Sequence, residues 1–122
     1  MPVNGDLEGD ATGEAWMGWS WSPWVPAARG AGASGVGLYR LRSRGAPDLL
    51  YVGQGLIASR LMAHGAKSSV PAHRQAAFFA AETEASWTLL EVPTVHLLEH
   101  ENDLIASHVL TMVKPPAAQF LG

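Results

Sequence analysis

The spacing of apolar and polar positions changes along this chain from strand-like to helix-like, and those changes divide it into elements. Val36 to Arg42 reads as a strand, and Leu49 to Gly53 is a second short apolar run. Ser43-Arg-Gly-Ala-Pro-Asp48 between them carries turn chemistry, so the pattern predicts a β-hairpin. With the turn centred near Gly45, Tyr39 stands opposite Tyr51. Opposed residues project to one face of a sheet, so the two phenols would share one environment. A helix is expected from about Leu56 to Gly65, a residue suited to a helix C-terminus. Arg60 and His64, four residues apart, would lie on one face of it. After a loop at 68–70, Pro71 opens a second helix reaching about Glu84, and Trp87 to Val92 reads as a third strand.

Pro93 introduces the longest periodic segment, a helix from Thr94 to about Val113. Leu97, Leu98, Leu104, Ile105, Val109 and Met112 form its apolar stripe. On a wheel of about 100° per residue, Glu101 and His108 fall inside that stripe, whereas Glu99, Asp103 and His100 lie outside it. A carboxylate on an inward-facing stripe is costly unless it is paired or holds a cation. Glu101 therefore calls for a chemical explanation.

Ahead of the hairpin the pattern is different. Residues 1–15 are rich in Gly and acidic side chains and are expected to be loose. Trp16 to Trp24 then holds four of the five tryptophans. Indoles at that density are expected to cap a core or an interface with a second copy or a partner protein. Stacking on nucleobases is disfavoured because no basic residue is interleaved. Ala27 to Ser34 is a small-residue linker.

With 122 residues, 48% of them apolar, the chain is expected to form one domain with one core. The absence of cysteine excludes disulfides and thiolate metal sites and fits a reducing, cytoplasmic setting. No apolar run has the length of a membrane span, so no membrane role is expected. The net charge of −3 is unevenly spread: residues 1–28 carry −4, residues 29–74 carry +6 and the remainder −5. Such segregation can create a basic face on an acidic protein, and a local face is enough to steer a phosphate backbone. Arg40, Arg42, Arg44, Lys67 and Arg74 are its candidate nucleic-acid contacts.

Phosphodiester hydrolysis requires a deprotonated nucleophile, a cation at the non-bridging oxygens and charge neutralisation at the leaving group. Tyr39 and Tyr51 could activate water, with Tyr39 favoured as the base. Glu101 could hold a hydrated Mg²⁺ or Mn²⁺, ions that keep several waters and accept a single carboxylate. Arg60 offers a planar fork to phosphate, and His64 could relay a proton or orient water. Each residue also has a plain reading: packed strand tyrosines, a solvated arginine, a surface histidine, and a glutamate paired to a buried base such as Arg74.

In order and spacing these residues resemble the GIY-YIG nucleases. Gly37-Leu38-Tyr39 stands in the place of the first motif and Tyr51-Val52-Gly53 in that of the second. Arg60 matches the helix arginine, and Glu101-Asn-Asp-Leu-Ile matches the metal-glutamate segment. The match covers about residues 35–122, leaving 1–34 as a Trp-rich N-terminal segment. The Arg60-x-x-x-His64 spacing looks like the restriction-enzyme branch. The resemblance implies an α/β (α+β) domain with a three-stranded antiparallel sheet flanked by helices, one divalent cation on Glu101, a tyrosine base and an arginine at the phosphate. Gly37 and Gly53 would support the site. Gln119 stands where the family commonly has an asparagine, and the last helix is longer. The expected activity is a metal-dependent endonuclease acting on DNA. Two alternatives stay open: a non-catalytic nucleic-acid-binding module on the same fold, and an RNA-cleaving or toxin-type nuclease.

Overall fold

The computed structural model describes residues 10–27, 33–68 and 83–119, with backbone alone at 64–68. Its elements are β1 (Val25–Pro26), β2 (Val36–Ser43), β3 (Tyr51–Leu56), α1 (Ile57–Ser68), β4 (Thr83–Leu89) and α2 (Thr94–Met112). The strands form one antiparallel sheet in the order β1-β4-β2-β3. The class is α+β, but the sheet has four strands where three were expected. The added strand comes from the tryptophan segment: the Ser22 N–H donates to the Trp87 carbonyl at 2.8 Å, and the Trp87 N–H donates back to the Ser22 hydroxyl at 2.9 Å. These bonds dock the chain beside β4, where Val25 and Pro26 then pair with Ala85 and Glu84.

Strand β4 begins at Thr83, so the end assigned to a helix from Pro71 belongs to the sheet. Ser68, expected in the loop at 68–70, ends α1; the rest of that loop and of the expected helix, and most of the 27–34 linker, lie outside the described residues. Helix α1 runs through Gly65 to Ser68 instead of stopping at the glycine. Gly within a helix costs only about 1 kcal/mol, which the surrounding turns can outweigh.

The hairpin register is displaced from the expected one. Tyr39 pairs with Gly53, and Tyr51 pairs with Leu41. The turn closes with Ala46 N–H on the Ser43 carbonyl at 2.9 Å, Gly45 taking φ +73°. Its centre thus falls one residue later than Gly45, which moves the pairing by two. A two-residue slip preserves the side-chain face, so both tyrosines still project together.

Each sheet face has its own core. Leu38 and Val52 pack with Trp16, Trp19, Trp21, Leu97 and Leu104, while Tyr39 and Leu41 pack with Ile57, Leu61, Ala85 and Ala118. Residues 10–15 are not loose: Ala11 is buried, and the Thr12 carbonyl accepts the Trp24 indole N–H at 3.0 Å. On α2 the inward residues are Leu97, Leu104, Ser107 and His108, whereas Leu98 and Val109 are exposed. Apolar residues nearly encircle this helix, so specific partners set its rotation. Ser107 accepts the Trp16 indole N–H at 3.0 Å, and the His108 Nε2 accepts the Leu49 N–H at 3.0 Å. His100 also turns inward, edge-on to Trp19.

Strand β3 would be an unprotected edge without the segment after α2. Ala118 N–H donates to the Leu50 carbonyl at 2.8 Å. The Gln119 amide accepts from Val52 N–H at 2.7 Å and donates to the Val52 carbonyl at 2.8 Å, so it pairs like one more strand residue. Among the described residues no helix is long and apolar enough to cross a membrane.

Candidate active site

The site is built outward from β2 and β3. The Tyr39 and Tyr51 rings stack with centroids 6.1 Å apart and planes 23° apart. Gly53 makes this possible, because a Cβ there would land inside the Tyr39 ring. The phenol crosses the next strand through a slot only glycine leaves open. Gly37 serves the other side of β2: a Cβ would strike the Thr88 carbonyl, so its absence lets β2 and β4 close beside Tyr39. Gln119 fixes Val52, the residue between Tyr51 and Gly53, from the outer edge.

Helix α1 follows β3 directly and places Arg60 in its first turns, exposed to solvent. Its approach uses a glycine absent from the expected set. Gly55 adopts φ +123°, and a Cβ there would sit 3.1 Å from the Arg60 Nε. The Gly53-Gln-Gly55 spacing was the available signal for that role.

Helix α2 supplies Glu101, half-buried between Leu97 and Leu104. Burial raises its pKa and the Arg60 guanidinium opposes that rise. Burial likewise pushes the Tyr51 phenol up, the Glu101 carboxylate adding to the effect and Arg60 opposing it. Tyr39 is raised furthest, first by burial and then by Tyr51, with Arg60 lowering it and Glu101 raising it. Tyr39, Tyr51, Arg60 and Glu101 therefore lie within electrostatic reach of one another. His64 follows Arg60 by one turn of α1, and its side chain is outside the described residues.

The anticipated basic face is not assembled in the expected form. Arg40 is 1% exposed: its guanidinium donates from Nη1 to the Ala11 carbonyl at 2.7 Å and lies 4.4 Å and 4.6 Å from the Trp21 and Trp24 rings. Such a side chain cannot reach a phosphate backbone. Arg42 is bound to Glu84 at 2.9 Å and stacked 4.2 Å from Trp24, which neutralises it. Alternation along β2 explains both, since Leu38, Arg40 and Arg42 share the face covered by the tryptophans. Basic residues are thus interleaved with the indoles in space though not in sequence. Arg44 is exposed at the hairpin turn. The Lys67 side chain and Arg74 lie outside the described residues. Trp16, Trp19 and Trp21 are buried in the core, one of the two places expected for them.

Comparison with protein-family models, characterised proteins and solved structures finds no match.

The donor set can be judged on its chemistry. Glu101 makes no ion pair or hydrogen bond among the described residues, and no trio of acidic or histidine ligands is gathered there. One carboxylate with oxygen-bearing neighbours suits a hard cation that keeps most of its waters, and does not suit zinc or copper, which require more protein ligands. Mg²⁺ or Mn²⁺ fits these residues.

Proposed function

We propose that this chain is a metal-dependent endonuclease of the GIY-YIG type that hydrolyses DNA phosphodiester bonds. The observation that carries the reading is the mutual electrostatic coupling of two stacked tyrosines, an exposed arginine and a half-buried glutamate from three different elements. Residues 60 and 101 are distant in sequence, and plain packing gives no reason for that carboxylate to approach two phenols.

Glu101 is the ligand for Mg²⁺ or Mn²⁺, which when bound supplies a Lewis acid for a non-bridging phosphate oxygen. Arg60 offers its fork to the phosphate and stabilises the charge that grows on it. A tyrosine phenolate, formed once Arg60 and a bound cation lower a pKa that burial raises, takes the proton from the attacking water. Tyr39 was favoured for this step, but burial holds its proton more tightly than that of the half-buried Tyr51. Tyr51 is therefore the better base, with Tyr39 stacked behind it to set its position. His64 belongs at the phosphate, one helical turn past Arg60. Among the described members of the basic set Arg44 is the candidate for backbone contact, beside Lys67 and Arg74.

A plasmid-nicking assay with Mg²⁺ or Mn²⁺, an EDTA control and Glu101→Gln tests this reading, with duplex DNA, single strands and RNA compared side by side. Metal-dependent cutting of duplex DNA by the wild type alone is expected. Preference for RNA would move the substrate to the toxin-type alternative. Nucleic-acid binding without any cutting would make the chain a non-catalytic module.

A further inference from the structure

The opposite face of the sheet carries a second polar site. Thr12, Glu14, Trp21, Ser22, Trp24 and Arg40 line a pocket of about 300 Å³, at the lower end of the range for small-molecule sites. Arg40 is the unusual member. It is almost wholly buried, its Nε has no hydrogen-bond partner, and no carboxylate forms an ion pair with it among the described residues. The Ala11 carbonyl and the indole faces stabilise the cation without cancelling its charge. Removing a charge from water without a paired counter-ion costs several kcal/mol; Asp10 attracts the guanidinium without forming an ion pair, so an incompletely compensated charge borders an open volume.

We propose that this pocket binds a small organic monocarboxylate, its carboxylate against Arg40 and a flat apolar body against Trp21 and Trp24. The site has a single positive charge without a salt bridge among the described residues, since Arg42 beside it is committed to Glu84. The exposed Glu14 on the lining repels ligands of higher negative charge such as phosphate. The Arg40 cation repels a second positive charge, which excludes ammonium ligands. Ser22 accepts the Trp87 N–H, leaving its own hydroxyl proton for the second carboxylate oxygen. This site lies across the sheet from the tyrosines and is independent of the nuclease reading.

Titration of the full chain with benzoate, its neutral isostere benzamide and inorganic phosphate, read by tryptophan fluorescence and calorimetry, tests the assignment. Benzoate should bind saturably and about tenfold or more tighter than the other two, since a charge-assisted bond in a dry pocket exceeds a neutral one. Glu14→Gln should tighten benzoate about twofold to threefold, the size of an exposed charge contact. Arg40→Met should abolish the preference for benzoate over benzamide. If that variant fails to fold, Trp24→Leu, which keeps the guanidinium and removes one wall, should weaken benzoate severalfold. Absent or non-saturable benzoate binding would overturn the proposal. So would equal affinity for benzamide, no response to Glu14→Gln, or benzoate preference surviving in Arg40→Met or undiminished affinity in Trp24→Leu.

Discussion

Tyr39 and Arg40 are neighbours on one strand, both almost inaccessible, yet the two faces of the sheet treat them in opposite ways. On the Arg40 face a charge is surrounded by indoles and a backbone carbonyl, with the adjacent Arg42 closed off by Glu84. On the Tyr39 face, Arg60 and Glu101 lie within electrostatic reach of the phenols with no salt bridge to each other, and Glu101 is left partly dehydrated. The first arrangement ties its arginines to the fold through a carbonyl, indole faces and Glu84, with the Arg40 Nε left without a partner. The second leaves a half-buried carboxylate without a salt bridge among the described residues, a state that a bound cation would relieve.

The largest effects should come from the tyrosine face. Glu101→Gln should reduce metal-dependent cutting to background, and Arg60→Ala should lower kcat by about 10²–10³-fold, the scale for losing one transition-state charge contact. Glu101→Gln should at the same time raise the unfolding free energy, by about 0.5–2 kcal/mol as stabilising single substitutions commonly do. Nicking rates and denaturant curves on the same preparations check both. A Glu101→Gln protein that unfolds more readily would mean that the carboxylate is a structural partner, and the contrast between the faces would fail.

Arg40→Ala should show the opposite division. It leaves a cavity among three tryptophans and strands the Ala11 carbonyl, at a cost of about 2–5 kcal/mol. Arg40→Met fills most of that volume and should recover much of the loss, because replacing a buried charge by an apolar group of similar size is often tolerated. Cutting per folded molecule should be unchanged in Arg40→Met. Activity falling in proportion to stability is what the two-face contrast forbids.

Much of the tyrosine face was legible in the sequence because it rests on parity and period. Tyr39 and Tyr51 share a face under either hairpin register, and Glu101 stands out on any helical wheel. The Arg40 face was not legible, since its cage joins residues 11–24 to β2 through contacts that neither segment's pattern announces. Apolar residues on all sides of α2 likewise hid which face packs inward until Trp16 and Leu49 supplied partners for Ser107 and His108. The fourth strand depended on Ser22 docking to Trp87, a pairing with no sequence signature. Gln119 was read as a substitute for an asparagine; its reciprocal bonds to Val52 seal a strand edge.

A smaller effect should come from Gly53→Ala. The added methyl would occupy the volume of the Tyr39 ring, and overpacking of this kind costs about 1–3 kcal/mol. Displacing that ring removes the stack behind Tyr51, so kcat should fall more than KM changes. Gly55→Ala should instead act on Arg60, weakening substrate binding and turnover together. Identical kinetic signatures from the two glycines would argue that the tyrosines and the arginine are not separately positioned.

The finest distinction lies in the pH dependence of stability, where one buried group from each kind of environment has the opposite sign. His108 is neutral and fully used: Nε2 accepts the Leu49 N–H and Nδ1 donates to the Lys114 carbonyl at 2.7 Å. Burial lowers its pKa, only partly opposed by the Lys114 carbonyl and Asp48. Its folded pKa thus lies below its unfolded value of about 6.5, so its contribution is intact above that pH and is lost as pH falls toward the folded pKa. Glu101 is raised in the folded state, so its contribution is intact below the unfolded carboxylate value of about 4.3 and is lost as pH rises through the folded pKa. Denaturant midpoints from pH 4 to 8 should therefore show Glu101→Gln gaining most over the wild type at the alkaline end, with the gain vanishing at the acid end. His108→Gln, neutral throughout, should start from lower stability and lack the wild-type decline below about pH 6.5. Parallel profiles for all three proteins would mean that neither buried group senses its surroundings as the structure requires.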